Sequence, residues 1–198
     1  MDKKLKQLKK EIWKQYSRTK AALTFDELNV INRSKKLYEN LSELNQEMYL
    51  EVARKAYEAA YPDNKKKLSK AWLLLLLQDY DEVTKYVYAN EVDRKRSRFA
   101  ESLLSTKRKQ QEFMTAFNLW WKQTTQYGIK VVDEATLQGY RDAGVKHVRW
   151  KTQQDGKVCE ICKSRSNKIY PIDKIPAKPH YGCRCWFEEV YEERDTMS

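Results

Sequence analysis

All four cysteines of this 198-residue chain, Cys159, Cys162, Cys183 and Cys185, fall within 27 residues, and His180, one of only two histidines, falls among them. No other feature restricts the fold as much. A Cys-x-x-Cys turn aims two thiolates at one point, and tetrahedral zinc takes two such pairs. His180 and Cys183 have the same spacing and can form the second pair, after a gap of 17 residues. Five candidates compete for four places. Cys183 and Cys185 are two apart and would point to opposite faces of an extended segment. The favoured set is therefore Cys159, Cys162, His180 and Cys183, with Cys185 as a substitute ligand or a buried thiol. A closed four-ligand site leaves no position for an activated water, so the expected role of Zn2+ is structural.

Two other chemistries compete. A pair of disulfides would suit a small secreted domain, but the charged N-terminus Met1-Asp2-Lys3-Lys4-Leu5-Lys6 has no apolar stretch behind it. The longest apolar run, Ala71 to Leu77, is far short of the about 20 residues of a membrane span. The expectation is a chain without a membrane segment, kept in a reducing cytosol. A redox Cys-x-x-Cys would need a βαβ setting, which the pattern lacks.

The surroundings of the cluster mark a module. Pro171, Pro176 and Pro179 are three of the chain's four prolines. Val145 to Thr152 reads as a strand with Val148 and Trp150 on one face, and Asp155-Gly156 as a hairpin turn. A short helix, Val131 to Asp142, precedes it and is capped by Gly144. The stretch before about Tyr127 reads as helices. Leu5, Leu8, Ile12 and Tyr16 mark a first one. Thr24 and Glu27 have the spacing of a capping box. It opens a long helix with an apolar stripe of Leu28, Ile31, Tyr38, Leu41, Met48, Val52, Ala56 and Ala59, stopped at Pro62-Asp63-Asn64. A third helix spans Leu68 to about Tyr88, with Trp72, Leu75, Val83 and Tyr86/Val87 inward. A fourth passes through Phe99, Leu103, Phe113, Phe117 and Trp120/Trp121, aromatics read as core. With 5 Gly in the chain, the many tight turns of a sandwich or barrel are excluded. The expected fold class is α+β, mainly α: an elongated helical N-terminal body, residues 1–126, and a small C-terminal zinc-stabilised β-hairpin module, residues 127–198.

Charge adds a second line. Lys and Arg number 39 against 28 Asp and Glu, a net +11. Two segments carry the excess: residues 1–20, with Lys3, Lys4, Lys6, Lys9 and Lys10, and residues 94–109, with Arg94, Lys95, Arg96, Arg98, Lys107, Arg108 and Lys109. These are candidates for sequence-neutral contact with DNA phosphates, a contact that weakens steeply with salt. A solvated helix face is the plainer reading of the same runs. The Trp72 to Leu77 run is apolar all round, so it is buried on every side or partly covered by another protein.

Gly144-Val145, Val148-Arg149-Trp150-Lys151-Thr152, Asp155-Gly156-Lys157-Val158-Cys159-Glu160-Ile161-Cys162 and Pro179-His180-Tyr181-Gly182-Cys183-Arg184-Cys185 together resemble the minor head (head-morphogenesis) proteins of tailed bacteriophages, the Mu-F-like group. That family places a strand with a Trp before an Asp, then Cys-x-x-Cys, then a Pro-rich approach to His-x-x-Cys-Arg-Cys. The resemblance covers Thr124 to Val190. The family usually has a longer body, and Pro-Asn where this chain has Tyr181-Gly182. The resemblance implies a low-copy, non-enzymatic virion protein at the portal vertex or capsid interior, present in host cytoplasm during assembly. Its implied partners are the portal protein and capsid or scaffold proteins, in the presence of packaged DNA. The alternative is a DNA-binding zinc-ribbon protein. Among catalytic signatures, no Gly-rich phosphate loop, Gly-x-Ser-x-Gly elbow or Ser/His/Asp order occurs. His147, outside the cluster, reads as a structural strand residue.

Overall fold

The computed structural model describes residues 14, 27–63, 66–78, 80–95, 97–100, 111–153, 155–180 and 182–191. The expected first helix, the Thr24 cap and Leu103 lie outside these residues. Among the described residues the elements follow one another as α1 (Glu27–Ala60), α2 (Lys70–Leu76), α3 (Tyr80–Val87), a π-helical turn (Tyr88–Asp93), α4 (Gln111–Asp142), β1 (His147–Lys151), α5 (Glu160–Arg165), β2 (Ile169–Pro171) and β3 (Trp186–Val190). The fold is mainly helical, with one small antiparallel sheet, an α+β architecture. No helix among the described residues is long and apolar enough to cross a membrane.

The chain divides into two compact units, residues 1–50 with 74–127 and residues 51–73 with 128–198. The division is not a single cut near residue 127, because the end of α1 and the segment to Leu73 belong with the C-terminal residues. α1 and α4 each supply residues to both units.

In the first unit, Ile31, Tyr38, Leu41, Val87, Val92, Phe99, Phe117 and Trp120 form the core. Two of the buried polar groups in this unit are paired across it, as burial favours. The Trp120 indole donates to Thr84 Oγ1 at 3.2 Å, and the Tyr49 hydroxyl donates to the Thr124 carbonyl at 2.9 Å. The helix expected over Leu68 to Tyr88 is broken at Leu77-Gln78 into α2 and α3. The Tyr127 hydroxyl donates to the Leu76 carbonyl at 2.7 Å, satisfying an acceptor left over at the end of α2. Leu75, expected inward, is 70% exposed, and Leu74 and Tyr86 are exposed too. Beyond α3 the ladder widens, with the Arg94 amide donating to the Ala89 carbonyl five residues back.

The buried stripe of α1 also departs from expectation. After Leu41 it follows Asn45, Tyr49, Ala53, Tyr57 and Ala60, while Met48, Val52 and Ala56 are half-buried and Ala59 is exposed. Steps of four advance slightly more than one helical turn of 3.6 residues, so the buried face drifts around the helix. The stripe is aromatic and polar rather than aliphatic.

In the second unit, α1 and α4 approach at Gly139. A Cβ there would stand 2.7 Å from Ala60 Cβ and 2.9 Å from the Tyr57 carbonyl oxygen. Only glycine allows this separation. Beside it the Tyr57 hydroxyl donates to Asp142 Oδ2 at 2.7 Å. The helix expected over Val131–Asp142 is the last part of the continuous α4, which runs through Tyr127-Gly128 without a break. It ends at Gly144, whose φ of +81° suits a residue without a side chain, and the Val145 amide turns back to the Tyr140 carbonyl at 2.9 Å.

The sheet order is β2-β1-β3, with both pairings antiparallel and His147 opposite Pro171 on one side and Val190 on the other. This corrects the simple hairpin expected after Asp155-Gly156. That dipeptide lies in a turn ahead of α5, where the Lys157 amide donates to Asp155 Oδ1 at 3.1 Å. Val148 and Trp150 point from β1 into a core shared with Val145, Leu137, Ile172, Phe187 and the buried cysteines.

Candidate metal centre

Three separate pieces of backbone bring the cluster together. Cys159 caps α5 from an extended conformation (φ −71°, ψ 159°), and its sulfur accepts from the Cys162 amide at 3.4 Å. Cys162 lies in the first turn of that helix, buried. The approach to β3 supplies His180, Cys183 and Cys185, and Gly182 in it has a φ of +70°. The segment from Gly182 to Cys185 is irregular, since β3 starts only at Trp186. Alternation between faces therefore does not apply, and Cys183 and Cys185 are both buried on the same side as Cys162.

The five candidates come together in two overlapping groups. Cys159, Cys162 and His180 form one group with donor atoms mutually within 4.8 Å, and Cys162, Cys183 and Cys185 form another. Cys162 belongs to both. Its sulfur is 3.6 Å from that of Cys183, and His180 Nε2 is 3.1 Å from Cys159 Sγ. None of the four cysteines is in a disulfide.

Burial and neighbours divide the thiols. Desolvation pushes the Cys162 thiol well above its ordinary range, and it also raises Cys185. The half-buried Cys159 thiol is lowered, first by the Cys162 amide and also by His180. Two thiols packed against each other in an apolar core keep their protons unless a cation is present to hold them as anions. The cluster can hold a metal ion. The pocket that the five line together with Gln153, Lys157 and Arg184 holds about 20 Å³, against roughly 300–1,000 Å³ for a small-molecule site.

Features without a sequence motif hold the site in place. Lys178 Nζ lies 2.6 Å from Asp133 Oδ2 on α4 and 2.9 Å from Oδ1, both side chains largely buried, and this pins the chain just before His180. Burial raises the Asp133 carboxyl even against the lysine that opposes it. Arg184, between two cysteines, reaches Asp155 through both carboxylate oxygens at 2.7 Å. The Asp155 carboxyl is held below its ordinary range, chiefly by that guanidinium. The Arg165 guanidinium stacks over Trp150 at 5.2 Å and donates to the Ala177 carbonyl at 2.7 Å. The lone signal for these in the sequence is charge embedded in a cysteine-rich segment.

The charged candidates are placed less completely. Lys3, Lys4, Lys6, Lys9, Lys10, Arg96, Lys107, Arg108 and Lys109 lie outside the described residues. Arg94 and Arg98 are exposed. Lys95 is paired with Glu91 one helical turn back, which removes much of its charge from any external contact. Searches against family models, curated proteins and solved structures give no match to the chain.

Proposed function

We propose that this chain is a non-enzymatic minor head protein of a tailed bacteriophage, acting at the portal vertex or capsid interior. In this reading the ion is zinc, and it ties the C-terminal residues into a fixed shape. Zinc takes four sulfur or nitrogen donors in a tetrahedron, and thiols and an imidazole are the donor types gathered in this cluster. Bound there it supplies folding energy rather than chemistry, by joining α5 to the approach to β3. The portal protein and capsid or scaffold proteins are the partners. Exposed Leu74, Leu75 and Tyr86 provide apolar surface of the kind that protein contacts cover.

One observation supports the reading above the others. The side chains that carry the phage resemblance, Trp150, Cys162, Cys183 and Cys185, share one core cluster although they are spread from β1 to the start of β3. A motif whose scattered members pack together acts as a unit. Contact with DNA would be a secondary property, limited to phosphates, with Arg94 and Arg98 available on the surface.

The test is reconstitution. The chain should co-sediment with portal or procapsid assemblies and contain about one zinc per chain after purification under reducing conditions. Saturable binding to a defined DNA sequence, without association to capsid components, would instead support the regulatory zinc-ribbon reading.

A further inference from the structure

The cluster offers five donors to an ion that takes four, and geometry separates the ligands from the bystander. We infer that Cys159, Cys162, Cys183 and Cys185 form a four-thiolate site, and that His180 and Trp150 are N–H donors to two of its sulfurs rather than ligands. The inference rests on the metal-binding reading above and specifies the residues of that site.

Three observations carry it. Tetrahedral zinc with Zn–S of about 2.3 Å puts co-ligand sulfurs about 3.8 Å apart, and a sulfur and a histidine nitrogen about 3.5 Å apart. Cys162 and Cys183 sulfurs, at 3.6 Å, have the spacing of co-ligands. His180 Nε2 and Cys159 Sγ, at 3.1 Å, are closer than co-ligands stand and have the spacing of a hydrogen bond. His180 is also exposed, whereas Cys185 is buried beside Cys162 and Cys183.

The third observation is the Trp150 indole. Its ring is fully buried, and its N–H has no hydrogen-bond partner of standard geometry. A buried donor left in that state is costly. It shares one buried core cluster with Cys185. A thiol gives that N–H little, but a thiolate bound to a cation gives it an anionic acceptor. The orphaned donor is thus accounted for when Cys185 is a ligand, and left without a role when Cys185 is spare. Outer donors of this kind orient ligands and tune the metal, and their removal typically costs about 10–100-fold in affinity.

Cobalt(II) added to the reduced full-length chain tests the assignment, because its visible and near-ultraviolet absorption reports how many thiolates bind. The expected wild-type spectrum is that of four sulfurs, and His180→Ala should keep that spectrum while affinity drops by about 10–100-fold. His180→Asn, which restores an N–H donor, should recover part of the drop, and Cys185→Ser should lose one sulfur's share of the charge-transfer band. Trp150→Phe should weaken cobalt binding without altering the four-sulfur spectrum. A wild-type spectrum of three sulfurs and one nitrogen, changed by His180→Ala and untouched by Cys185→Ser, would overturn the inference while leaving the metal site intact. Failure of the wild-type chain to bind cobalt or zinc at all would overturn the metal reading itself.

Discussion

The sulfurs of Cys162 and Cys183 lie 3.6 Å apart, buried, on segments 21 positions apart in the chain. Uncharged, the two thiols contribute little beyond packing. As thiolates without a cation they would repel at that distance. The proposed zinc removes the conflict, and a first prediction follows from its removal. Structural zinc sites contribute about 10–16 kcal/mol of apparent binding energy at neutral pH, comparable to or above the whole stability of a typical domain. Treatment with a strong chelator, or Cys162→Ser, should unfold residues from about Val145 onward while the helices of the first unit persist. Backbone amide NMR would show the sheet resonances collapsing first. Their retention in metal-free protein would contradict the structural role.

The close approach at Gly139 gives a prediction independent of metal. Gly139→Ala would place a methyl 2.9 Å from the Tyr57 carbonyl and 2.7 Å from Ala60 Cβ, neither of which is a flexible side-chain end. α1 and α4 would have to separate there, at a cost of about 1–3 kcal/mol. Urea denaturation of the second unit's signals should show this destabilisation, although alanine favours helix by itself. A neutral or stabilising result would mean that the two helices do not meet there as described.

Tyr57→Phe removes the hydroxyl that donates to Asp142 Oδ2 at 2.7 Å. The expected destabilisation is about 1.5–3 kcal/mol, the range for a hydrogen bond to a charged acceptor. Combining it with Asp142→Asn in a double-mutant cycle isolates the pair from the ring's packing. An interaction energy indistinguishable from zero would remove the bond from the account of stability.

The Asp133–Lys178 pair has a predictable pH dependence. Burial raises the Asp133 carboxyl above its unfolded value despite the lysine. Between the unfolded and folded values the native state keeps a proton that the unfolded chain has released. The contribution of this group to stability is therefore fully present below the unfolded pKa and lost as pH rises through the folded one. Compared with Asp133→Asn, the wild-type chain should show that extra fall in stability across the upper carboxylate range. The pair fixes where the segment before His180 lies more than it adds stability, as partly buried ion pairs commonly do.

A last prediction concerns the basic surface. Because Lys95 is paired with Glu91 and Arg94 and Arg98 are exposed, duplex binding should weaken in Arg94→Ser/Arg98→Ser and change little in Lys95→Ser. For each arginine that ceases to neutralise a phosphate, the slope of log K against log salt should become shallower by about 0.9. Equal effects from all three positions would show that the Glu91 pairing is not maintained.

How much of this is readable in the sequence depends on the range of the interactions involved. The candidate metal cluster is legible because metal ligands need particular residue types at short spacings, and residue type survives any rearrangement of the chain. Gly144 as a helix end is legible for a similar local reason: the conformation it adopts is open to few residues. The strand carrying Val148 and Trp150 follows from alternation over five residues.

The departures share a cause as well. Hydropathy places the stripe of α1 along Met48, Val52 and Ala56, yet the buried face is Tyr49, Ala53 and Tyr57, because partners on α4 accept hydroxyls that hydropathy counts as polar. The break at Leu77-Gln78 has no proline or glycine to announce it, and a distant tyrosine, Tyr127, satisfies the exposed carbonyl. Alternation fails between Cys183 and Cys185 because Gly182 leads into irregular backbone rather than a strand.

The sequence by itself thus determined which side chains carry metal-binding chemistry and where local backbone freedom ends a helix, since both depend on the residues' own bonds and torsions. Only the tertiary structure decided which side of Cys185 faces the other sulfurs, which lysine is pinned by Asp133, and that the end of α1 belongs with the C-terminal unit. Those outcomes depend on what lies across space, where burial and the pairing of polar groups outweigh the preference of any one segment.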